Sequence, residues 1–255
     1  FVGFLAIVPL VILFEIKKFK SEFKIGLKTF ATLSLLIGLS LFLGSASQQV
    51  ALLYTDVANA AFFTIFYVPM VPVIIFLFKR KSIHWSVWPS VILCLIGGYL
   101  LTNFYDATVR LGDTLVILGA LFWSTHIIFT GIIVTKYNLP LTIGAIQTLI
   151  VAFFSFIIGL IYEEFIFLNI LKEIDSILYA GILSGGFAFV LQIYAQKNIS
   201  PAPAAIIFSL EGVFATIAAW FLLDQILDIN NLLGCFFILC GVLLSQLLPL
   251  IKKTI

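Results

Sequence analysis

The chain has 255 residues, of which 62% are hydrophobic and 10% charged, and its formal net charge is +2. Soluble globular domains are about 45–50% apolar and about 25% charged, so the composition excludes that class. The mean hydropathy of +1.22 instead indicates a lipid bilayer, and not nucleic acid, as the main partner of the chain.

Apolar, uncharged runs follow one another along the chain. About 20 such residues cross a hydrocarbon core of roughly 30 Å. Seven runs exceed that length: 29–55, 57–78, 85–105, 114–135, 137–162, 176–196 and 229–251. The shorter run 1–14 and the stretch 198–223, which only Glu211 interrupts, raise the number of predicted membrane segments to nine. The sequence therefore predicts an all-α polytopic membrane protein.

The charges between these segments predict an orientation. If alternate loops face the cytoplasm, twelve of the 14 basic residues lie inside: Lys17, Lys18, Lys20, Lys24, Lys28, Lys79, Arg80, Lys81, Lys136, Lys197, Lys252 and Lys253. Only Arg110 and Lys172 remain outside, in loops that are otherwise acidic. Positive charge favours the cytoplasmic side, so we predict a multi-pass protein of the inner (plasma) membrane with a cytoplasmic C-terminus.

An offset of 144 residues aligns the two halves of the chain, with Gln48 on Gln192 and Gly97 on Gly241. The same offset places the basic residues 79–81 on 223–225, where the charge is acidic. Opposite loop charge is expected of halves that cross the membrane in opposite senses. We therefore predict an inverted repeat, with a first half at 1–105 and a second at 112–255.

An inverted repeat requires an odd number of helices in each half. The second half contains five predicted segments and the first half four. The segment equivalent to 114–135 would precede Phe1, so we expect the intact protein to have ten helices, of which nine are present here. Cys94, Cys235 and Cys240 lie inside predicted spans without C-x-x-C spacing, and we expect no metal or other cofactor.

Three stretches resemble a known family. They are GDTLVILGALFWSTHIIFTGIIVTKY (112–137), GGFAFVLQIYAQKNISPAPAAIIFSLEGVFATIAAWFLLDQ (185–225) and ALLYTDVANAAFFTIFYVPMVPVIIFLFKRK (51–81). Together they are similar to EamA-type carriers of the drug/metabolite transporter superfamily. The resemblance implies two inverted five-helix units and the movement of small metabolites, often outward. The chain departs from the family pattern where Gly212 replaces the usual proline after Glu211, and where Asp224 replaces a glutamate.

Polar residues at membrane depth are candidates for lining a solute cavity, because lipid offers them no hydrogen-bond partner. The candidates are Ser45, Gln48, Gln49, Thr64, Tyr67, Trp123, His126, Gln192 and Gln196. Each has a structural alternative. Ser45 and Thr64 can bond the carbonyl four residues back, and Gln48 and Gln192 suit helix–helix contacts equally well. His126 could titrate or remain neutral and hydrogen-bonded.

Glu211 is a charged residue within an otherwise apolar run, and carboxylates at that depth usually have a function. It could anchor a fixed hydrogen-bond network, or it could carry a proton, since burial disfavours its charged form. Glu211 and His126 are thus candidates for coupling and gating. Pro69 and Pro72 should bend their helix by freeing carbonyls, and Gly212 could permit a hinge.

These features favour a secondary transporter for a small-molecule substrate. A polar, aromatic and nearly uncharged lining suits amino acids or similar amphiphilic solutes, carried by alternating access. The resemblance implies that the direction of transport is export. Phosphorylated solutes would require Lys or Arg in the spans. We expect no enzyme, because no H-E-x-x-H or G-x-S-x-G motif is present. An intramembrane enzyme and a non-transporting sensor are the alternative hypotheses.

Overall fold

The computed structural model describes residues 1–22, 26–79, 83–102, 110–164, 166–224 and 226–251. Some residues used above for orientation, repeat alignment and boundaries lie outside the described residues: Lys24, Arg80, Lys81, residue 105, Gln225, Lys252 and Lys253. All regular structure in the described ranges is helical. The helices are α1 Val2–Leu10, α2 Ile16–Glu22, α3 Leu27–Ala51, α4 Val57–Thr64, α5 Tyr67–Lys79, α6 Val87–Leu101, α7 Leu111–Tyr137, α8 Pro140–Tyr162, α9 Phe167–Lys172, α10 Ile174–Leu178, α11 Phe189–Gln196, α12 Pro201–Phe208, α13 Leu210–Leu223 and α14 Ile229–Ile251.

Two π-helical segments complete these elements. Val11–Glu15 joins α1 to α2, and Tyr179–Ala188 joins α10 to α11. Within the described part of the chain, seven helical segments are long and apolar enough to cross a membrane. They are Leu27–Ala51, Asn59–Phe78, Leu111–Tyr137, Pro140–Tyr162, Ile174–Gln196, Pro201–Leu222 and Ile229–Pro249. The apolar helix Val87–Leu101 is shorter, and the first predicted segment forms α1 and the π-helical turn after it.

The chain divides into two compact units. The first unit contains residues 1–43 and 129–199, and the second contains residues 44–128 and 200–255. Helices α3 and α7 each contribute to both units. The units therefore combine segments from both halves of the sequence.

The first unit has its core where α3, α7, α8 and α11 meet. The buried residues of this core are Phe30, Ile37, Ile133, Val134, Tyr137, Leu139, Ile143 and Ile193. Helix α1 packs on α8 and on the second π-helical segment. That contact is close because Gly3 lies against Gly181, and a Cβ on Gly3 would lie 2.7 Å from the Gly181 carbonyl oxygen.

Glu15 attaches the first apolar segment to the start of α8. Its carboxylate accepts hydrogen bonds from the backbone N–H of Leu141 at 3.1 Å, from that of Thr142 at 2.8 Å and from the Thr142 hydroxyl at 2.7 Å. The first N–H groups of a helix have no partner within the helix, and a carboxylate also interacts favourably with this end of the helix dipole. Glu15, which is 7% exposed, therefore caps a helix distant in sequence.

The second unit is organised by a long antiparallel contact between α6 and α14. Small residues permit it: a Cβ on Gly97 would lie 2.7 Å from the Gly234 carbonyl oxygen, and a Cβ on Gly241 would lie 2.9 Å from the Ser90 carbonyl oxygen. Membrane helices associate through such close packing, because the hydrophobic effect does not drive apolar side chains together in lipid.

Two membrane segments of the second unit are interrupted near their middle. Helix α4 ends at Thr64 before α5 starts at Tyr67, and α12 ends at Phe208 before α13 starts at Leu210. Proline explains the first interruption. Pro69 has no N–H to bond the Ile65 carbonyl, which instead accepts from Val68 at 2.9 Å in a tighter turn.

The second interruption occurs at Ser209. The N–H of Gly212 bonds the Ser209 carbonyl at 3.2 Å, again as a tighter turn. The starts of α4 and α12 are 144 residues apart, and so are the ends of α5 and α13, which is the offset used above to align the two halves of the sequence. Interrupted helices leave backbone groups unbonded at membrane depth, which is tolerated where they line a cavity.

Candidate functional site

A cavity of about 280 Å³ lies in the second unit where the two interrupted helices meet. Its walls come from the end of α3, from α4 and the start of α5, from the last turn of α6, and from the α12–α13 junction. The polar residues that line it are Gln48, Thr64, Tyr67, Thr102, Ser209, Glu211 and Thr216. The volume is near the lower limit for small-molecule sites, which begin at roughly 300 Å³. The cavity therefore suits a small solute.

The cavity extends from the helix interruptions towards one end of the second unit. Helix α3 leads into α4 at this end, and Asn231 at the start of α14 donates to the Leu101 carbonyl at the end of α6, at 3.4 Å. We call it the acidic end, because Asp56, Asp224 and Asp228 lie in its loops. Among its described residues, the one basic side chain is Arg110, which is 2.7 Å from the Asp56 carboxylate.

Glu211 lies in the first turn of α13, on the wall of the cavity. Its side chain is exposed, and no described residue forms a hydrogen bond with its carboxyl group. A carboxylate in the first turn of a helix is stabilised by the positive end of the helix dipole. The Glu211 carboxyl group on the cavity wall is therefore available for an interaction with an ion or a solute.

A short hydrogen-bond chain forms the opposite wall. The Gln48 side-chain amide donates to the Thr64 hydroxyl at 3.3 Å, and that hydroxyl donates to the Ala60 carbonyl at 2.7 Å. The Thr64 bond to a carbonyl four residues back is the structural alternative considered above. It also orients the hydroxyl oxygen towards Gln48, so both residues are held in place at the cavity surface.

Tyr67 and Ser209 lie at the two helix interruptions. Tyr67 is the first residue of α5 and is buried, and its carbonyl accepts from the Ser124 hydroxyl at 3.4 Å. The Ser209 hydroxyl donates to the Ile206 carbonyl at 2.6 Å and lies 3.4 Å from Cys94 Sγ. These contacts attach each interruption to the rest of the second unit.

Several candidates from the sequence lie away from this cavity. In the second unit, His126 is fully buried and meets the Trp123 ring edge-on, at 6.0 Å between ring centroids. Ser45 and Gln49 share α3 with Gln48 but do not line the cavity, and neither do Pro69 and Pro72 in α5. Gly212 does line it.

The two remaining candidates belong to the first unit, in α11. Gln192 is partly buried there. Gln196 is 1% exposed, and neither atom of its side-chain amide has a hydrogen-bond partner among the described residues.

The sequence reasoning omitted three hydroxyl residues that line the cavity, Thr102, Ser209 and Thr216. A signal existed for two of them, because 209, 212 and 216 are spaced three and four residues apart and so share one helix face. The Thr216 hydroxyl donates to the Gly212 carbonyl at 2.8 Å, which is common for a threonine in a membrane helix. Thr216 also lines the cavity.

No group of three or more His, Cys, Asp or Glu side chains in the described residues could hold a metal ion. What the cavity offers is one carboxyl group, several hydroxyls and an amide, beside apolar surface from Ile65, Leu101 and Phe208. This arrangement can bind a small solute with a polar group at one end and an apolar part at the other.

Known proteins are similar to this chain in sequence and in fold. The model of the EamA-like transporter family matches residues 110–247. An uncharacterized transporter of Archaeoglobus fulgidus is 30% identical over 232 residues, which are 89% of this chain and 70% of that protein. The uncharacterized transporter YoaV of Bacillus subtilis is 25% identical over 259 residues, 95% of this chain and 84% of its own length.

A solved crystal structure has the same fold. It superposes with a TM-score of 0.78 over 99% of this chain and 86% of the matched chain, at 12% sequence identity. With the apolar helices and the cavity at their interruptions, these similarities identify the chain as a multi-pass membrane transporter that belongs to the EamA-like transporter family.

Proposed function

We propose that the protein is a secondary carrier that exports small amphiphilic metabolites, with amino acids as the first candidates, across the inner (plasma) membrane. The observation that carries the proposal is the cavity at the two helix interruptions, whose described lining contains hydroxyls, an amide and one carboxyl group but no Lys or Arg. A phosphorylated solute would need a basic partner, whereas an amphiphile needs polar groups beside apolar surface.

The proposed mechanism is alternating access. The interruptions divide two membrane segments into half-helices, and short half-helices can tilt with little cost in backbone hydrogen bonds. The equivalent positions of the two interruptions, at an offset of 144 residues, support halves at 1–105 and 112–255 that cross the membrane in opposite senses. The acidic end then faces outward, and the C-terminus lies in the cytoplasm, as the distribution of basic residues favours.

The direct test is release of solute from liposomes. The full-length protein is reconstituted into vesicles loaded with a labelled mixture of amino acids, and release is followed with and without an imposed proton gradient. We expect protein-dependent, saturable loss of a subset of the amino acids. Empty vesicles and heat-inactivated protein are the controls. Equal retention of every solute with and without protein would contradict the proposed substrate class.

Proton coupling is a separate part of the proposal, and Glu211 is its main candidate because it faces the cavity while His126 is packed against Trp123. The variants Glu211→Gln and His126→Gln are compared across the same gradient. We expect Glu211→Gln to show little release and no increase of it by the gradient, and His126→Gln to retain both release and its gradient dependence. An effect of the gradient that survives in both variants would exclude these two residues as the coupling site.

The orientation has its own test. A reporter that fluoresces only in the cytoplasm and a phosphatase that is active only outside are fused in turn to the C-terminus. We expect fluorescence from the first fusion and no phosphatase activity from the second. The reverse pattern would place the acidic end in the cytoplasm and would contradict the proposed direction.

A further inference from the structure

The carboxyl group of Glu211 has no counter-ion of its own in the described structure. It is exposed on the cavity wall, and no described residue donates a hydrogen bond to it. Arg110, the basic side chain at the acidic end, is already 2.7 Å from Asp56. An ionised carboxyl group at membrane depth is costly unless a cation accompanies it. The described residues therefore supply no cation for Glu211, and the solute itself can bring one.

The surroundings of Glu211 define what kind of cation fits. Next to it in α13, Ala215 and Thr216 line the cavity, and Ile65 and Leu101 add apolar surface. A hydrated metal ion would leave this apolar surface unused, and a small inorganic cation usually requires several oxygen ligands. A primary ammonium group on a short apolar chain matches both the carboxyl group and the apolar wall.

The size of the cavity limits the length of that chain. Its volume of about 280 Å³ is close to the lower limit of roughly 300 Å³ for small-molecule sites, so it suits a small solute. Amino acids of moderate size and short alkylamines satisfy this limit. Larger organic cations with several rings do not.

The loops at the acidic end also favour a cation. Asp224 and Asp228 lie between α13 and α14, at the end towards which the cavity extends. Carboxylates around an opening raise the local concentration of cations and lower that of anions. The charge distribution therefore selects for the same class of solute as the cavity does.

We propose that Glu211 is the counter-ion for the protonated amino group of the transported solute, with the apolar wall formed by Ile65, Leu101 and Ala215 receiving its hydrocarbon part. The inference rests on the proposed carrier function and specifies the chemical group by which the cavity recognises its substrate. It makes the amino group, and not a carboxylate or a phosphate, the required part of the solute.

The test is a binding measurement with defined probes. The full-length protein in detergent is titrated with n-butylammonium chloride, n-butanol and sodium butyrate at one ionic strength, and the shift in its unfolding temperature gives the Kd of each. We expect the ammonium probe to bind the wild type and its Kd to rise at least about tenfold in Glu211→Gln, the factor for about 1.4 kcal/mol of lost interaction.

Two further variants control this result. Glu211→Asp retains the charge and should retain most of the binding, which separates a loss of charge from a loss of fold. Glu163→Gln removes an exposed carboxylate from the first unit and should bind the ammonium probe as the wild type does. Equal shifts with n-butanol, or an unchanged ammonium Kd in Glu211→Gln, would overturn the inference.

Transport separates this inference from the carrier proposal. If the ammonium probe binds through Glu211 but no labelled amino acid leaves the vesicles, the counter-ion role stands and the proposed transport of amino acids fails. If amino acids are released and n-butylammonium does not compete with them, the carrier stands and the counter-ion role is overturned.

Discussion

Glu15 and Glu211 are two carboxyl groups in apolar segments of the same chain, and they differ in exposure and in hydrogen bonding. Glu15 is 7% exposed and accepts three hydrogen bonds from the start of α8. Glu211 is exposed on a cavity wall and accepts none from the described residues. Both lie beside the start of a helix, where a negative charge is favourable. Glu15 uses that position to join two elements, and Glu211 leaves its carboxyl group available.

The difference shows why a carboxyl group in a membrane segment is not by itself a functional site. Its cost in lipid can be offset by donors from the protein, as for Glu15, or by an external partner, as proposed for Glu211. Only the contacts distinguish these cases. The same distinction applies to the polar residues around the cavity, where the hydroxyls of Thr64 and Thr216 are bonded to their own helix and still face the cavity.

The largest effect on stability is expected from Glu15→Ala. The change removes a buried acceptor and leaves the N–H groups of Leu141 and Thr142 without a partner. Hydrogen bonds to charged groups contribute about 1.5–3 kcal/mol, so we expect the free energy of unfolding to fall by about 3 kcal/mol. Reversible unfolding in mixed detergent micelles measures it. Glu163→Ala, on an exposed carboxylate, is the control, and equal stability of the two variants would contradict the capping role.

A somewhat smaller loss is expected from Gly97→Ala in the contact between α6 and α14. The new Cβ would lie 2.6 Å from Ile238 Cγ1 and 2.7 Å from the Gly234 carbonyl oxygen. Overpacking of this kind costs about 1–3 kcal/mol. Gly159→Ala is matched to it, because its new Cβ would meet only the Glu163 carboxylate, at 3.8 Å. A stabilised or unchanged Gly97→Ala protein would show that the two helices are not held this closely.

The smallest effects separate two aspartates at the acidic end of the second unit. Asp113 is fully buried and accepts from the Thr55 hydroxyl and from the Arg110 N–H at 2.7 Å, whereas Asp56 forms an exposed ion pair with the Arg110 side chain. We expect Asp113→Asn to cost about 1–2 kcal/mol in the same unfolding measurement. Asp56→Asn should change stability by less than about 1 kcal/mol, and less still in high salt.

Much of the fold could be predicted from hydropathy, because membrane helices must satisfy their own backbone. The predicted run 114–135 lies within α7, and the predicted run 137–162 contains α8. A bend was predicted at Pro69, and the structure has a helix interruption at Ile65. Pro69 has no N–H for the Ile65 carbonyl, four residues before it. The π-helical segments could not be predicted, because an extra residue in a turn only rotates the helix face that follows, and these stretches are too uniformly apolar to show such a rotation.

Site residues could be predicted from the sequence where a polar or charged residue lay at membrane depth. Glu211 and Gln48 stood out for that reason, and the structure places both on the cavity. Ser45 and Gln49 had the same helical spacing as Gln48 but do not line it, since spacing defines a face only to within about 100°. The capping role of Glu15 could not be inferred, because it depends on a contact across 126 residues of chain.

The central claim is that Glu211 binds the solute and that Glu15 stabilises the fold. Its most direct test measures unfolding temperature and amino-acid release for Glu15→Gln and Glu211→Gln, prepared and reconstituted side by side. We predict that Glu15→Gln unfolds at a lower temperature yet releases solute normally per folded molecule. Glu211→Gln should unfold like the wild type and lose at least roughly tenfold in saturable release. Wild-type release by Glu211→Gln, or destabilisation of that variant as large as that of Glu15→Gln, would contradict the claim.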